Sequence, residues 1–289
     1  MNSPAAGVNR TGASVNAPGA AVNRIDAAFA RLKEKKQKAF IPYIVAGVPG
    51  LKETVEIALE LERMGADILE FGYSFSDPMA DGVVNQMAAN RALALGVDAE
   101  AYFAMVADIR AKSQMPMIVF SYLNPIYKYG LEAFAKRAKA AGMDGMLLVD
   151  MPVEETDEIS AVCAREGLAL IFLAAPTTTP ERLAKVLARG TGFLYYISRT
   201  GITGERDSFQ KDFEAKVTAV KAGCKLPVVV GFGISTPEHV RTVCRLTDGV
   251  VVGSALVRRT LEAKPFPALL ADLKAFAAPL IAPTKETWT

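Results

Sequence analysis

The six residues 67-DILEFG-72 decide how this chain is read. They form an apolar run of strand length, bounded by Asp67 and Gly72, with one carboxylate set among hydrocarbons. On a strand, side chains two apart share a face, so Glu70 falls on the face of Ile68. Seven further runs have the same character: 39-AFIPYIVAG-47, 116-PMIVFSY-122, 145-GMLLVD-150, 168-LALIFLA-174, 193-FLYYIS-198, 227-PVVVGFG-233 and 248-DGVVVGS-254. Short runs rich in Val, Ile, Leu and Phe, ended by Gly, Pro or Asp, mark strands buried on both faces, as in a parallel sheet.

Between these runs the spacing predicts helices over Thr54–Met64, Ala99–Ala111, Leu131–Ala141, Glu155–Glu166, Pro180–Ala188, Phe209–Ala222 and Pro237–Cys244. Thr54–Met64 carries Val55, Ala58, Leu59 and Leu61 on one stripe. Ser235 is the predicted N-cap of the Pro237 helix, with Pro and Glu in its first turn. Eight strands alternating with helices, and no second compositional block, give an α/β chain of one domain, a closed (β/α)8 TIM barrel with an extra N-terminal helix. A doubly wound open sheet is the rival, but it has fewer strands, and no GxGxxG follows the first strand here. The expected boundaries are a disordered extension over 1–23, the barrel over 24–282 and a C-terminal tail over 283–289. The extension is rich in Ala, Gly, Asn, Ser and Pro and lacks the apolar stretch of a secretory signal.

Composition narrows the function. The chain has 289 residues, about the size of one barrel, with 51% hydrophobic and 22% charged residues. A net charge of +2 gives no strong pull toward nucleic acid or anionic membrane. Cys163, Cys224 and Cys244 are odd in number and widely spaced, which suits a reducing cytoplasm rather than a disulfide framework. His239 is the one histidine, so no histidine-rich metal site can form. No uninterrupted apolar run reaches the roughly 18 residues of a membrane helix.

A barrel's active site lies at the carboxyl ends of its strands, so the residues there carry the chemistry. Glu70 is the unusual one. Facing inward, it would have a raised pKa and suit proton transfer; a salt bridge or backbone donors would instead make it structural. The stretch 73-YSFSDPMADGVVNQ-86 reads as a long loop after strand 2, and its Asp77 and Asp81 join Glu70 in a group of three carboxylates. Asp before Pro or Gly is also an ordinary turn former. On the far side, 200-TGITG-204, Gly231 and Gly233 around Phe232, and Gly253-Ser254 at a helix start let backbone N–H groups converge on a phosphate. No lysine stands at a strand end, which argues against a Schiff-base aldolase. A phosphorylated substrate cleaved by carboxylates alone must carry its own electron sink.

From about Arg24 to Leu280 the chain resembles the tryptophan synthase alpha subunit family. The motifs that carry the resemblance are 39-AFIPYIVAGVPG-50, 70-EFGYSFSDPMADG-82, 148-LVDMPVEE-155, 175-APTTTPER-182, 194-LYYISRTGITG-204, 230-VGFGISTPE-238 and 252-VGSALV-257. The resemblance implies retro-aldol cleavage of indole-3-glycerol phosphate to indole and glyceraldehyde 3-phosphate. It implies that Glu70 and Asp81 are the catalytic carboxylates, the first moving protons and the second binding the indole N–H. Gly204, Gly233, Gly253 and Ser254 would hold the phosphate. Tyr43, Leu147, Leu173, Tyr195 and Phe232 would surround the indole, and Thr203 would act in loop closure over it. Asp77, Tyr122 and Asn124 would lie near a partner, the beta subunit of an alpha2beta2 heterotetramer. Pyridoxal phosphate would sit in that partner and no cofactor in this chain.

Four departures from the family pattern cluster after strands 1 and 2: Val48 for Asp, Tyr73-Ser74 for an aliphatic–Pro pair, Val83 for Pro and Asn85 for an aliphatic residue. Losing two prolines predicts a looser loop around Asp81. A partner-activating subunit that has drifted from catalysis, and a stand-alone indole-releasing lyase, are the alternatives these changes raise. Residues 200–212, Gly-rich and polar, are expected to move in the absence of ligand.

Overall fold

The computed structural model describes residues 22–197, 207–231 and 233–288. Eight strands form a closed barrel in sequence order: β1 (Ala39–Val45), β2 (Leu69–Gly72), β3 (Met117–Ser121), β4 (Gly145–Leu148), β5 (Ala169–Ala174), β6 (Leu194–Ile197), β7 (Val228–Gly231) and β8 (Gly249–Val252). Every neighbouring pair is parallel, and β1 closes the ring against β8 with Phe40 beside Val250. The helices are α1 (Arg24–Glu34), α2 (Leu51–Arg63), α3 (Val83–Ala94), α4 (Ala99–Arg110), α5 (Leu123–Tyr129), α6 (Leu131–Ala141), α7 (Asp157–Glu166), α8 (Pro180–Arg189), α9 (Asp207–Gly223), α10 (Pro237–Leu246), α11 (Ser254–Thr260) and α12 (Phe266–Ile281). The barrel and its N-terminal helix are those expected from the sequence.

The differences have local causes. The long loop expected after strand 2 ends at Gly82, and α3 starts at Val83. This helix hides Ala88, Ala89 and Ala92 while Val83 and Met87 face outward, so its sequence shows no apolar stripe. Thr236, not Ser235, caps α10, accepting the N–H of His239 at 3.2 Å. Asn23, assigned from the sequence to the extension, caps α1 by accepting the N–H of Ile25 at 2.9 Å. The expected tail folds back on the barrel: Pro283 and Thr284 are buried, and Trp288 donates its backbone N–H to Lys36 at 2.7 Å. Residues Phe266–Lys285 form the one helical stretch, among the described residues, long and apolar enough to cross a membrane. Asp272 and Lys274 interrupt it, and its Leu269, Leu273, Ala277, Leu280 and Ile281 are buried inside this fold.

A repeated device closes the amino-terminal face. Asp67 accepts the N–H of Phe40 at 2.8 Å, Asp144 that of Met117 at 3.0 Å, Thr191 that of Leu170 at 2.8 Å, and Asp248 that of Val228 at 2.9 Å. Each side chain before an even-numbered strand thus satisfies an orphan donor on the odd strand preceding it. The three acids are also neutralised: Asp67 by Lys285, Asp144 by Arg24 and Arg110, and Asp248 by Lys221. Arg110 donates to the carbonyl of Gly142 as well, fastening the end of α6 to α4. The acids of this face are therefore paired and structural.

Candidate active site

The opposite face holds a cavity of about 450 Å³. Six strands send side chains into its wall: Tyr43 from β1, Glu70 from β2, Phe120 from β3, Leu173 from β5, Tyr195 and Ile197 from β6, and Val251 from β8. Asp81, Gly82, Val83, Val84 and Asn85 close one side, where the loop after β2 enters α3. Gly233, Ile234, Gly253, Ser254 and Arg258 line it from the turns after β7 and β8 and from α11.

Glu70 points inward, as its pairing with Ile68 on one face requires, and is 1% exposed. It sits opposite Tyr43 in the β1–β2 register. Its Oε1 has no hydrogen-bond partner among the described residues. Burial raises its pKa to about 8, because a carboxylate removed from water resists ionising. Asp144 on the opposite face, by contrast, has two arginines at 2.9 Å. A buried acid that keeps its proton near neutral pH can give that proton to a substrate atom and take one back.

Asp81 is held on both oxygens. Tyr122 donates its hydroxyl to Oδ2 at 3.0 Å, and Asn85 donates its amide to Oδ1 at 3.4 Å. Burial raises the Asp81 pKa, while the donors from Tyr122 and Asn85 oppose the rise. Gln86 donates to the Asp81 carbonyl at 2.8 Å, and Ser121 donates to the carbonyl of Tyr73 at 2.8 Å. These side-chain bonds restrain a loop that lacks prolines at positions 74 and 83.

Two glycines make room for the aromatic walls. A Cβ at Gly231 would stand 2.0 Å from the Tyr195 hydroxyl, and one at Gly72 would stand 2.8 Å from that of Tyr43. Tyr43 also packs on Phe120, ring centres 4.8 Å apart. Burial raises both phenol pKa values well above the usual range, and the carboxylate of Glu70 adds to each rise.

The structure brings together Glu70, Asp81, Gly233, Gly253, Ser254, Tyr43, Leu173 and Tyr195 in this one cavity. Thr203, Gly204 and Phe232 lie outside the described residues, as does most of the 200–212 loop. One expectation is corrected. Leu147 is fully buried and is not part of the cavity wall; Val149, two residues along the same face, lines it instead. Tyr122 is 5% exposed, its ring tilted against that of Phe75 with centres 5.5 Å apart. Asp77 and Asn124 are exposed, and Asp77 stands apart from the other two acids, outside the cavity. Arg258 escaped the sequence reading; the signal available was its place one helical turn after Ser254.

A closed barrel of eight parallel strands, with its polar groups converging on a cavity at their carboxyl ends, defines the class: a (β/α)8-barrel enzyme. Residues 29–278 match the model of the tryptophan synthase alpha chain family. Two curated tryptophan synthase alpha chains are close relatives. That of Citrifermentans bemidjiense is 49% identical over 230 residues, covering 80% of this chain and 86% of its own. That of Opitutus terrae is 43% identical over 260 residues, covering 90% and 98%. The crystal structure of the Legionella pneumophila alpha subunit superposes with a TM-score of 0.84 at 40% identity, covering 91% of this chain and 99% of that one. The chain belongs to the tryptophan synthase alpha chain family, the lyases that cleave indole-3-glycerol phosphate to indole and glyceraldehyde 3-phosphate in tryptophan biosynthesis.

Proposed function

We propose that Glu70 and Asp81 carry the cleavage between them. Protonation of indole C3 gives an indolenine whose positive nitrogen draws electrons from the C3–C3′ bond. That bond breaks as the glycerol hydroxyl next to it loses its proton and becomes the aldehyde. One proton enters at C3 and one leaves the hydroxyl, so a single acid that is recharged suffices. Glu70 fills that role: its proton is retained near neutral pH, and its Oε1 has no partner among the described residues. Asp81 accepts the indole N–H and stabilises the charge that develops on nitrogen. Tyr43, Leu173, Tyr195 and Val149 wall the ring, with Phe232 joining them. Gly204, Gly233, Gly253 and Ser254 hold the phosphate through backbone N–H groups and the serine hydroxyl. Thr203 acts in the closing loop. The single observation that carries this reading is one cavity joining a buried acid on β2, its Oε1 without a partner among the described residues, to Ser254 after β8.

The same reading supplies a partner. A structural neighbour is a tryptophan synthase complex from Pyrococcus furiosus, matched at 35% identity with a TM-score of 0.78. This chain docks a beta subunit in an alpha2beta2 heterotetramer and passes indole to it. Pyridoxal phosphate belongs to that subunit, with no cofactor in this chain. Asp77, Asn124 and the 92% exposed Met79 supply contact surface near the cavity mouth. Three free cysteines accord with a reducing cytoplasm. The test is indole absorbance on adding indole-3-glycerol phosphate, with and without beta subunit. Slow release alone that rises steeply with beta subunit is expected. Stimulation of the beta subunit with no cleavage would favour the partner-activating alternative, and a fast rate that ignores beta subunit the stand-alone one.

A further inference from the structure

Asn85 stands in the first turn of α3, in the wall of the cavity. Its two polar atoms have unequal fates. Nδ2 donates to Asp81 Oδ1 at 3.4 Å, and only the amide end can do so, since a carboxylate has no hydrogen to give. Oδ1 is buried and has no partner among the described residues. A buried carbonyl with nothing to accept is costly, and a hydrocarbon of the same size would avoid that cost. The chain therefore carries an amide at a position where stability alone favours leucine. What the amide provides is the donor to Asp81.

On the proposed reading of the site, we infer that Asn85 is a positioning residue of the cleavage reaction, holding the Asp81 carboxylate against Tyr122 so that it faces the indole N–H. Asp81 sits on the loop between β2 and α3, and side chains of Tyr122, Asn85 and Gln86 bond it there. Tyr122 fixes Oδ2 and Asn85 restrains Oδ1, which together set the plane of the carboxylate. The amide also favours the ionised form of Asp81, against the burial that opposes it. The other titratable or charged groups that line the same cavity, among the described residues, are Glu70, Tyr43, Tyr195 and Arg258; Tyr122 faces Asp81 from behind.

The experiment compares the full chain with N85L, which keeps the volume and deletes the amide, and with N85S, which restores a shorter donor. Cleavage of indole-3-glycerol phosphate is followed against pH with saturating beta subunit. Inhibition is measured with indole-3-propanol phosphate and its N-methyl analogue, and binding with glycerol 3-phosphate. For N85L the expected result is a fall in kcat/KM of about tenfold, with the acid limb of the profile moved to higher pH. It should also discriminate less between the N–H and N-methyl inhibitors and bind glycerol 3-phosphate unchanged. N85S should recover part of each loss, which a packing defect would not. If N85L is too unstable to assay, N85S alone should show an intermediate shift of the acid limb. An active wild type matched within about twofold by N85L, with the same acid limb and the same N–H preference, overturns the role of Asn85 and leaves the proposed function standing. A wild type that releases no indole overturns the reading of the site itself.

Discussion

The hydroxyl of Tyr122 donates to Oδ2 of Asp81 at 3.0 Å and accepts the backbone N–H of Ala80, also at 3.0 Å. One phenol thus ties the end of β3 to the loop after β2, over a separation of 41 residues. Its proton stays on it, because burial and the neighbouring carboxylate both raise its pKa. Tyr122 therefore keeps its proton at neutral pH and donates it to Asp81.

Replacing Tyr122 with Phe removes that donor and leaves the ring. A hydrogen bond to a charged group contributes on the order of 2 kcal/mol, so kcat/KM for cleavage should fall about tenfold to thirtyfold. The acid limb should move to higher pH, since the Tyr122 bond lowers the Asp81 pKa and its loss raises it. A pH profile of indole release from the variant decides the matter; one that overlays the wild type would remove Asp81 from the mechanism or Tyr122 from its support.

Glu70 makes stability depend on pH. Its folded pKa is about 8 against an ordinary 4.5. Below 4.5 the group is protonated in both states and contributes its full stability. As pH rises from 4.5 toward 8 the unfolded chain releases this proton and the folded one keeps it, so that stability is lost. Glu70→Gln should therefore gain up to a few kcal/mol on wild type between pH 5 and pH 8. Urea unfolding of both proteins at the two pH values measures the difference, and a gap independent of pH would show that Glu70 ionises freely.

The carboxylates of the amino-terminal face serve the fold and not the reaction. Asp144 is 1% exposed, pairs with Arg24 and Arg110, and accepts the N–H of Met117. Asp144→Asn strands two guanidinium groups and should cost about 3 kcal/mol. Thermal unfolding should register this loss while kcat/KM stays within about twofold. A large fall in activity without a fall in Tm would mean that the two faces of the barrel are coupled.

This division of labour shows what the sequence could reveal. The strands were legible because both of their faces are buried, which leaves short apolar runs between Gly, Pro and Asp. Glu70 stood out because it interrupts such a run, and its inward aim followed from its spacing to Ile68. α3 was not legible, since its buried face is alanine and its larger apolar residues point outward. The cap of α10 was misplaced by one residue because Ser235 and Thr236 carry equivalent hydroxyls. Nothing local marks the bond between Tyr122 and Asp81, which the barrel creates by placing β2 beside β3.

The exposed apolar groups near the cavity mouth predict where the partner docks. Met79 is 92% exposed, Val83 72% and Met87 56%. Met79→Lys should weaken beta-subunit binding about tenfold or more, while cleavage by the chain alone is unchanged. Titration of beta-subunit activity with the variant would locate the interface elsewhere if the half-saturating concentration did not move.

Glu70→Gln keeps the shape of the side chain and removes its proton chemistry. Release of indole from indole-3-glycerol phosphate by this variant, with beta subunit present, should fall by on the order of a hundredfold or more, with glycerol 3-phosphate still bound. Indole released at the wild-type rate would mean that the acid buried on β2 is not the group that moves the proton.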